Sequence, residues 1–222
     1  SAWAQHNARE HPRAVDEARA LAGTIARSSA LATATRCHQR AQALREAGRT
    51  AESDVEYACA ARGYRAYLEH HEDDLDAYEV GFDLGEALFW SRQYPEAARA
   101  FAAVRDSAVD DELEAAAARR VVEAYRRAIE EQGIAIRDAA PPAGELPEVP
   151  ALVAEMARAR EVYLARIDAA HDVENVRDAY GFNQAVLLDQ YGYVEHARAR
   201  FEALLAAPGC GEIPAAAYQA LR

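Results

Sequence analysis

The chain contains no lysine, so its 25 arginines carry all of its positive charge at neutral pH, histidine aside. Against 37 aspartates and glutamates they leave a formal net charge of −12. Binding to nucleic acid needs a basic surface that neutralises phosphates, and attraction to an anionic membrane needs positive charge as well, so we expect neither partner. No apolar run approaches the roughly 18 residues of a membrane-spanning helix, so we expect no transmembrane segment.

Sequence motifs for catalysis are also missing. The chain has no Gly-rich phosphate loop, no nucleophile elbow and no HExxH zinc motif. His70 and His71 are adjacent, and adjacent side chains on a helix point about 100° apart, so they do not converge on one ion. Three further histidines have no partners at useful spacing, namely His38, His171 and His196. We therefore predict a protein that is not an enzyme and that has no cofactor and no metal site.

Helix-forming residues are abundant. Hydrophobic residues make up 51% of the 222 positions, which is enough for a sizeable core, and Ala, Arg and Glu favour helix. Apolar residues recur at steps of three and four, which predicts an all-α fold. We predict helices at about 12–28 (with Leu21 and Ile25 facing inward), 31–47, 51–71, 111–132, 150–170, 173–190, 193–206 and 214–222, and a pair of helices within 75–107.

One internal segment has the composition of a long loop. Residues 134–150 cannot be helical throughout, because they contain Pro141, Pro142, Gly144, Pro147 and Pro150. We predict an ordered or semi-extended insertion between two helices.

Short loops join the other helices, which fits a stack of antiparallel helical hairpins, an α-solenoid, in a single domain over residues 1–222. The predicted hairpins span 31–71, 75–107, 111–170 and 173–206, with the helices at 12–28 and 214–222 covering the ends.

The stretch from Tyr78 to Val104 carries the clearest motif. The tetratricopeptide (TPR) signature is W-x2-L-G-x2-Y, then A-x3-F, then P, with a period of about 34 residues. The chain has the Leu-Gly pair at 84–85 and the Ala-x3-Phe pair at 97–101, at their proper distance. It departs from the signature at the Trp, the first Tyr and the Pro, which are replaced by Gly81, Leu88 and Val109.

A second copy of this stretch lies 100 residues further on. Gly81, Phe82, Leu88, Ala97, Phe101 and Val104 are repeated by Gly181, Phe182, Leu188, Ala197, Phe201 and Leu204. The offset is close to three TPR lengths. We predict that the glycines at 81 and 181 let a neighbouring helix approach closely in both copies.

Residues 64–104, YRAYLEHHEDDLDAYEVGFDLGEALFWSRQYPEAARAFAAV, resemble TPR proteins of the Gram-negative envelope, of the outer-membrane assembly lipoprotein and Tol–Pal partner type. The resemblance covers about a fifth of the chain. It implies a scaffold that binds a protein or peptide partner in the bacterial periplasm or at the outer membrane, and it carries over no catalytic residues. A cytoplasmic location is the alternative.

In the architecture that the chain resembles, the first helix of each hairpin lines a concave face. The resemblance therefore implies partner-binding positions at Glu79, Phe82, Glu86, Phe89, Trp90, Phe182, Val186, Asp189 and Gln190. Aromatic side chains framed by charge are typical of an interaction groove. The alternative is that Phe82, Phe89 and Trp90 pack on a neighbouring helix. A second function also stays open, a helical sensor or regulatory domain that binds a small ligand or peptide between its repeats.

Two of the three cysteines lie symmetrically about a predicted turn. Cys37 and Cys59 each lie 11 residues from Gly48. In an antiparallel hairpin this spacing places them at the same height, where they either form a disulfide or lie as two small buried side chains. A disulfide would favour an oxidising compartment such as the periplasm. Cys210 is left over.

Overall fold

The computed structural model describes residues 12–69, 76–107 and 112–206. Within these ranges it contains eight helices and no strand, which confirms the all-α prediction. The helices are α1 (Pro12–Glu46), α2 (Thr50–Leu68), α3 (Ala77–Trp90), α4 (Tyr94–Arg105), α5 (Glu114–Glu131), α6 (Ala151–Arg166), α7 (Arg177–Gln190) and α8 (Val194–Ala206). Among the residues described, no helix combines the length and the apolarity needed to cross a bilayer. The predicted helix at 214–222, His70, His71, Val109 and Cys210 lie outside the described residues.

The first helix is longer than predicted. The predicted break between residues 28 and 31 is wrong, because α1 is continuous from Pro12 to Glu46. The hydroxyl of Thr33 donates to the carbonyl of Ser29 at 2.8 Å, so this polar segment bonds back along the helix without interrupting it. Leu21 and Ile25 are 63% and 61% exposed, so the inward face predicted for them is also wrong.

The chain divides into two compact units, residues 1–93 (unit 1) and 94–222 (unit 2). In unit 1, α1 packs along α2 and α2 packs along α3. In unit 2, each helix from α4 to α7 packs along the next helix in the sequence. Packing between consecutive helices is typical of helical hairpins. A TPR-like solenoid over the whole chain stays a prediction.

Four helix ends are closed by the same kind of turn. After α1, α3, α5 and α7 the chain places one residue in the left-handed conformation, and the next N–H returns to a carbonyl five residues back at 2.8–3.0 Å. Glycine adopts this conformation without strain, and three of the four turns use it. The left-handed residues are Gly48, Arg92, Gly133 and Gly192, with φ of 74°, 64°, 62° and 82°.

The 100-residue offset of the sequence also holds for the helix boundaries. Helices α3 and α7 both have 14 residues and end at positions 90 and 190, and α4 and α8 begin at positions 94 and 194. Both Ala-x3-Phe pairs are buried, since Phe101 is 0% and Phe201 is 2% exposed. A Cβ at Gly181 would lie 2.9 Å from Cδ2 of Leu204, so a side chain of α8 fills the space beside this glycine. Gly81 is half-buried.

Residues 132–150, which we call the proline loop, contain no helix, in agreement with the prediction for 134–150. The loop contacts the turn between α7 and α8. Nε of Arg137 donates to the carbonyl of Gln190 at 3.0 Å. At Gly192 an added Cβ would overlap the carbonyl oxygen of Glu145 and would lie 3.2 Å from Cγ of Pro141. The loop therefore rests directly on the chain at this turn.

Candidate functional site

Polar groups from all three helices of unit 1 converge on the hydroxyl of Tyr64. His38 on α1 and Tyr64 on α2 are 8% and 1% exposed, and Nδ1 of His38 lies 3.2 Å from Oη of Tyr64. The side chains of Thr35 and of Asp83 on α3 also lie close enough to the Tyr64 hydroxyl to shift its pKa. We call these four residues the Tyr64 cluster. The partner of His38 lies 26 residues away on another helix, a contact that spacing along the sequence does not reveal.

Burial dominates the electrostatics of the Tyr64 cluster. It raises the pKa of Tyr64 to about 12, and the negative charge of Asp83 acts in the same direction. Burial also raises the pKa of Asp83, although the charge of His38 and a hydrogen bond from Tyr64 oppose the rise. Burial lowers the pKa of His38 against the attraction of Asp83 and Glu86. His38 and Tyr64 are therefore neutral at neutral pH.

The Tyr64 cluster has proton-transfer groups but is enclosed. Its histidine and tyrosine are buried, and their polar atoms contact each other. A satisfied buried network of this kind rigidifies a core and fixes how its helices align. We therefore interpret the cluster as a polar link between α1, α2 and α3.

Trp90, one of the predicted partner-binding residues, is held by side chains from α1, α2 and α3. The guanidinium carbon of Arg45 lies 3.6 Å from the centre of the indole, a cation–π contact. The ring of Tyr57 stacks on Trp90 with centroids 6.4 Å apart. Nε1 of Trp90 donates to Oε2 of Glu86, another predicted partner-binding residue, at 3.0 Å. Both side chains are thus engaged within unit 1.

The other predicted partner-binding residues of α3 differ in exposure. Phe89 contacts Trp90, the next residue on α3, edge-to-face at 5.1 Å, and with 3% exposure it offers little surface to a partner. Phe82 is half-buried and Glu79 is exposed.

Helix α7 presents its four predicted residues on one half-buried face. Phe182, Val186, Asp189 and Gln190 are spaced at i, i+4, i+7 and i+8, and each is half-buried. Phe182 also packs edge-to-face on Phe201 of α8 at 5.8 Å. Phe182 therefore helps to hold α7 against α8, and the half-buried side chains of this face remain partly accessible to solvent.

A second polar cluster lies in unit 2 and caps the start of α7. The sequence analysis did not predict it. Oη of Tyr163 donates to Oδ1 of Asp172 at 2.7 Å. The Asp172 carboxylate also accepts the backbone N–H groups of Val176 at 3.1 Å and Arg177 at 2.9 Å. Burial and the bond to Asp172 raise the pKa of Tyr163. An Asp just before a predicted helix was the available signal.

The cysteine pair of unit 1 has an acidic neighbour that the sequence prediction also missed. Cys37 and Cys59 are joined by a disulfide between α1 and α2, with Cα atoms 5.9 Å apart. A carboxylate oxygen of Glu56 and the two sulfurs all lie within 4.8 Å of one another. Glu56 precedes Cys59 by one helical turn, so the two share a face of α2, and that spacing was the available signal. Nε of Arg40 binds Oε1 of Glu56 at 3.1 Å.

Comparisons of the chain with protein-family models, with curated proteins and with solved structures give no match. The resemblance to envelope TPR proteins therefore rests on the quoted motifs and on the repeat within the chain.

Acidification is expected to destabilise the protein through His38. Its pKa in the fold is lower than the ordinary value of 6.5, so the unfolded chain binds the proton more readily. The free energy of unfolding should therefore fall as the pH drops below about 6.5. We expect urea denaturation to show a smaller loss between neutral pH and about pH 5 in His38→Gln than in the parent protein.

The control for this experiment is His196→Gln, since His196 is exposed on α8. This variant should keep the pH dependence of the parent protein. Asp83 has the opposite effect on stability, because folding raises its pKa. The folded protein binds this proton more readily than the unfolded chain does, so Asp83 adds to the free energy of unfolding as the pH falls toward the ordinary value of 3.8. Equal losses in the parent protein and His38→Gln would contradict the assignment to His38.

Proposed function

We propose that the chain is a non-catalytic helical-repeat scaffold that binds a protein or peptide partner, as in bacterial envelope complexes. The observation that carries the proposal is the repeat at an offset of 100 residues. Both copies have a helix of the same length, the same left-handed turn and a buried Ala-x3-Phe pair. Repeats of this type bury their apolar seams against one another and offer the remaining face to partners.

The proposed binding surface in unit 2 is the face formed by Phe182, Val186, Asp189 and Gln190. It combines an aromatic and an aliphatic side chain with a carboxylate, a mixture that suits an apolar anchor next to a basic group. The net charge of −12 also favours a basic partner through long-range attraction. Of the predicted positions in unit 1, Glu79 is exposed and Phe82, Glu86 and Trp90 are half-buried.

A ligand site beneath the proline loop, which would favour the sensor alternative, has less support. The loop rests on the turn at Gly192 so closely that an added Cβ there would overlap the backbone of Glu145. The partner-binding scaffold is therefore the preferred function.

The proposal is tested with a random peptide library displayed on phage and selected on the full chain. The affinity of the best peptide is then measured by fluorescence anisotropy. We expect Val186→Arg and Asp189→Arg to weaken binding at least about tenfold, or about 1.4 kcal/mol. Circular dichroism checks that both variants remain helical.

The matched control is Glu195→Arg, which changes an exposed acidic residue on α8. It should bind the peptide as tightly as the parent protein does. Failure to select any peptide, or unchanged affinity in both variants of the α7 face, would overturn the proposal.

A further inference from the structure

We propose that Cys37, Cys59 and Glu56 form a redox-gated Zn²⁺ site, which the disulfide closes and its reduction opens. This inference is independent of the partner-binding function. It rests on three donor atoms that α1 and α2 already hold together.

The spacing of the donors suits a tetrahedral ion. Typical Zn–S and Zn–O distances of about 2.3 and 2.1 Å place the ligand atoms of such a site roughly 3.5–3.8 Å apart. The two sulfurs and a carboxylate oxygen of Glu56 lie within 4.8 Å of one another. Once the disulfide is cleaved, only small side-chain movements are needed to place all three around one ion.

The chemistry of the donors also favours zinc. Thiolates select soft and borderline ions, and one carboxylate beside two thiolates leaves a fourth position for water. Arg40 engages Oε1 of Glu56 at 3.1 Å, which orients the carboxylate beside the two sulfurs. The same guanidinium offsets the negative charge that remains when two thiolates and a carboxylate bind one dication.

Opening the site is a two-electron reduction. A dithiol reductant gives two electrons and two protons to the Cys37–Cys59 bond, so that the disulfide becomes two thiols and the dithiol becomes a disulfide. Zn²⁺ then displaces one proton from each thiol as the two thiolates bind it. An oxidising compartment would keep the site closed, and a reducing one would open it.

The experiment titrates the full chain with Co²⁺, a spectroscopic probe for zinc sites, after reduction with a phosphine under anaerobic conditions. We expect the reduced protein to bind one Co²⁺ with a thiolate-to-cobalt charge-transfer band, and Zn²⁺ to displace it. The oxidised protein should show no such band. Cys37→Ser and Cys59→Ser should lose the band, whereas Cys210→Ser should keep it.

The role of Glu56 is tested by competition for Zn²⁺ with a chromophoric chelator. Glu56→Gln should weaken binding at least about tenfold, because a neutral amide is a poorer ligand than a carboxylate. The matched control is Glu52→Gln, which changes an exposed glutamate on the same helix and should bind as the parent protein does.

Three results would overturn the proposal. The first is the absence of the charge-transfer band in the reduced parent protein. The second is equal Zn²⁺ affinity in Glu56→Gln, which would remove the third donor. The third is metal binding that survives in the Cys37→Ser, Cys59→Ser double variant, which would indicate an adventitious ion only.

Discussion

Replacing Asp172 by alanine is expected to lower the free energy of unfolding by about 3 kcal/mol. Its carboxylate is 7% exposed and accepts hydrogen bonds from the Tyr163 hydroxyl and from two backbone N–H groups at the start of α7. A lost helix cap costs about 0.5–2 kcal/mol, and a lost bond between a charged group and a buried hydroxyl costs about 1.5–3 kcal/mol. Urea denaturation measures the sum.

Related variants separate the two contributions. Asp172→Asn keeps an oxygen that can cap the helix, so it should lose only about 1 kcal/mol. Tyr163→Phe removes the hydroxyl and leaves the cap in place. Asp178→Ala is the matched control, because Asp178 is exposed in the first turn of α7. Stability of Asp172→Ala within about 0.5 kcal/mol of the parent protein would contradict the role assigned to the carboxylate.

Replacing Gly192 by alanine is expected to cost about 2–5 kcal/mol. The left-handed φ of 82° accounts for about 1–2 kcal/mol of strain in a residue with a side chain. The new Cβ would also overlap the carbonyl oxygen of Glu145, and overpacking of this kind costs about 1–3 kcal/mol. Because the obstacle is backbone, it moves only if the proline loop moves. Urea denaturation and limited proteolysis within residues 132–150 measure both effects.

Gly133 provides a matched control for Gly192. Its φ of 62° is also left-handed, but a Cβ there would have no atom within 4 Å. Gly133→Ala should therefore cost only about 1–2 kcal/mol and leave the proteolysis of the proline loop unchanged. Equal costs at the two positions would show that the proline loop does not rest on the turn at Gly192.

The sequence predicted most helices because their signals are local. The glycines at 48 and 133 mark helix ends, and the prolines of the 134–150 segment exclude a helix there. The offset of 100 residues likewise reappears in the helix boundaries. The predicted break in α1 also fails for a local reason, since the hydroxyl of Thr33 bonds back to the carbonyl of Ser29 within a continuous helix.

The end of α6 shows a limit of periodicity. The helix was predicted to reach residue 170 and stops at Arg166. The Asp168 side chain accepts the backbone N–H groups of Ala170 at 2.9 Å and His171 at 3.0 Å. Such bonds compete with helical ones, and an apolar repeat pattern carries no information about them.

Partners distant in sequence could not be predicted for the candidate sites. Periodicity indicates which face of a helix is buried, but it does not say which residue of another helix it meets. The contact between Arg45 and Trp90 and the bond between His38 and Tyr64 join positions on different helices. Cys37 and Cys59 are an exception, because they lie on two helices joined by one turn. Their equal distance from Gly48 was enough to predict that they lie at the same height along the hairpin.

The disulfide of unit 1 also restricts the unfolded protein. Cys37 and Cys59 are 22 residues apart, so their bond ties a ring in the denatured chain and removes about 3 kcal/mol of conformational entropy from it. Zinc held by the same two sulfurs would close the same ring through two coordinate bonds. The stability of α1 against α2 then depends on whether the cell supplies an oxidant or a metal, and a reduced, metal-free chain loses that restriction altogether.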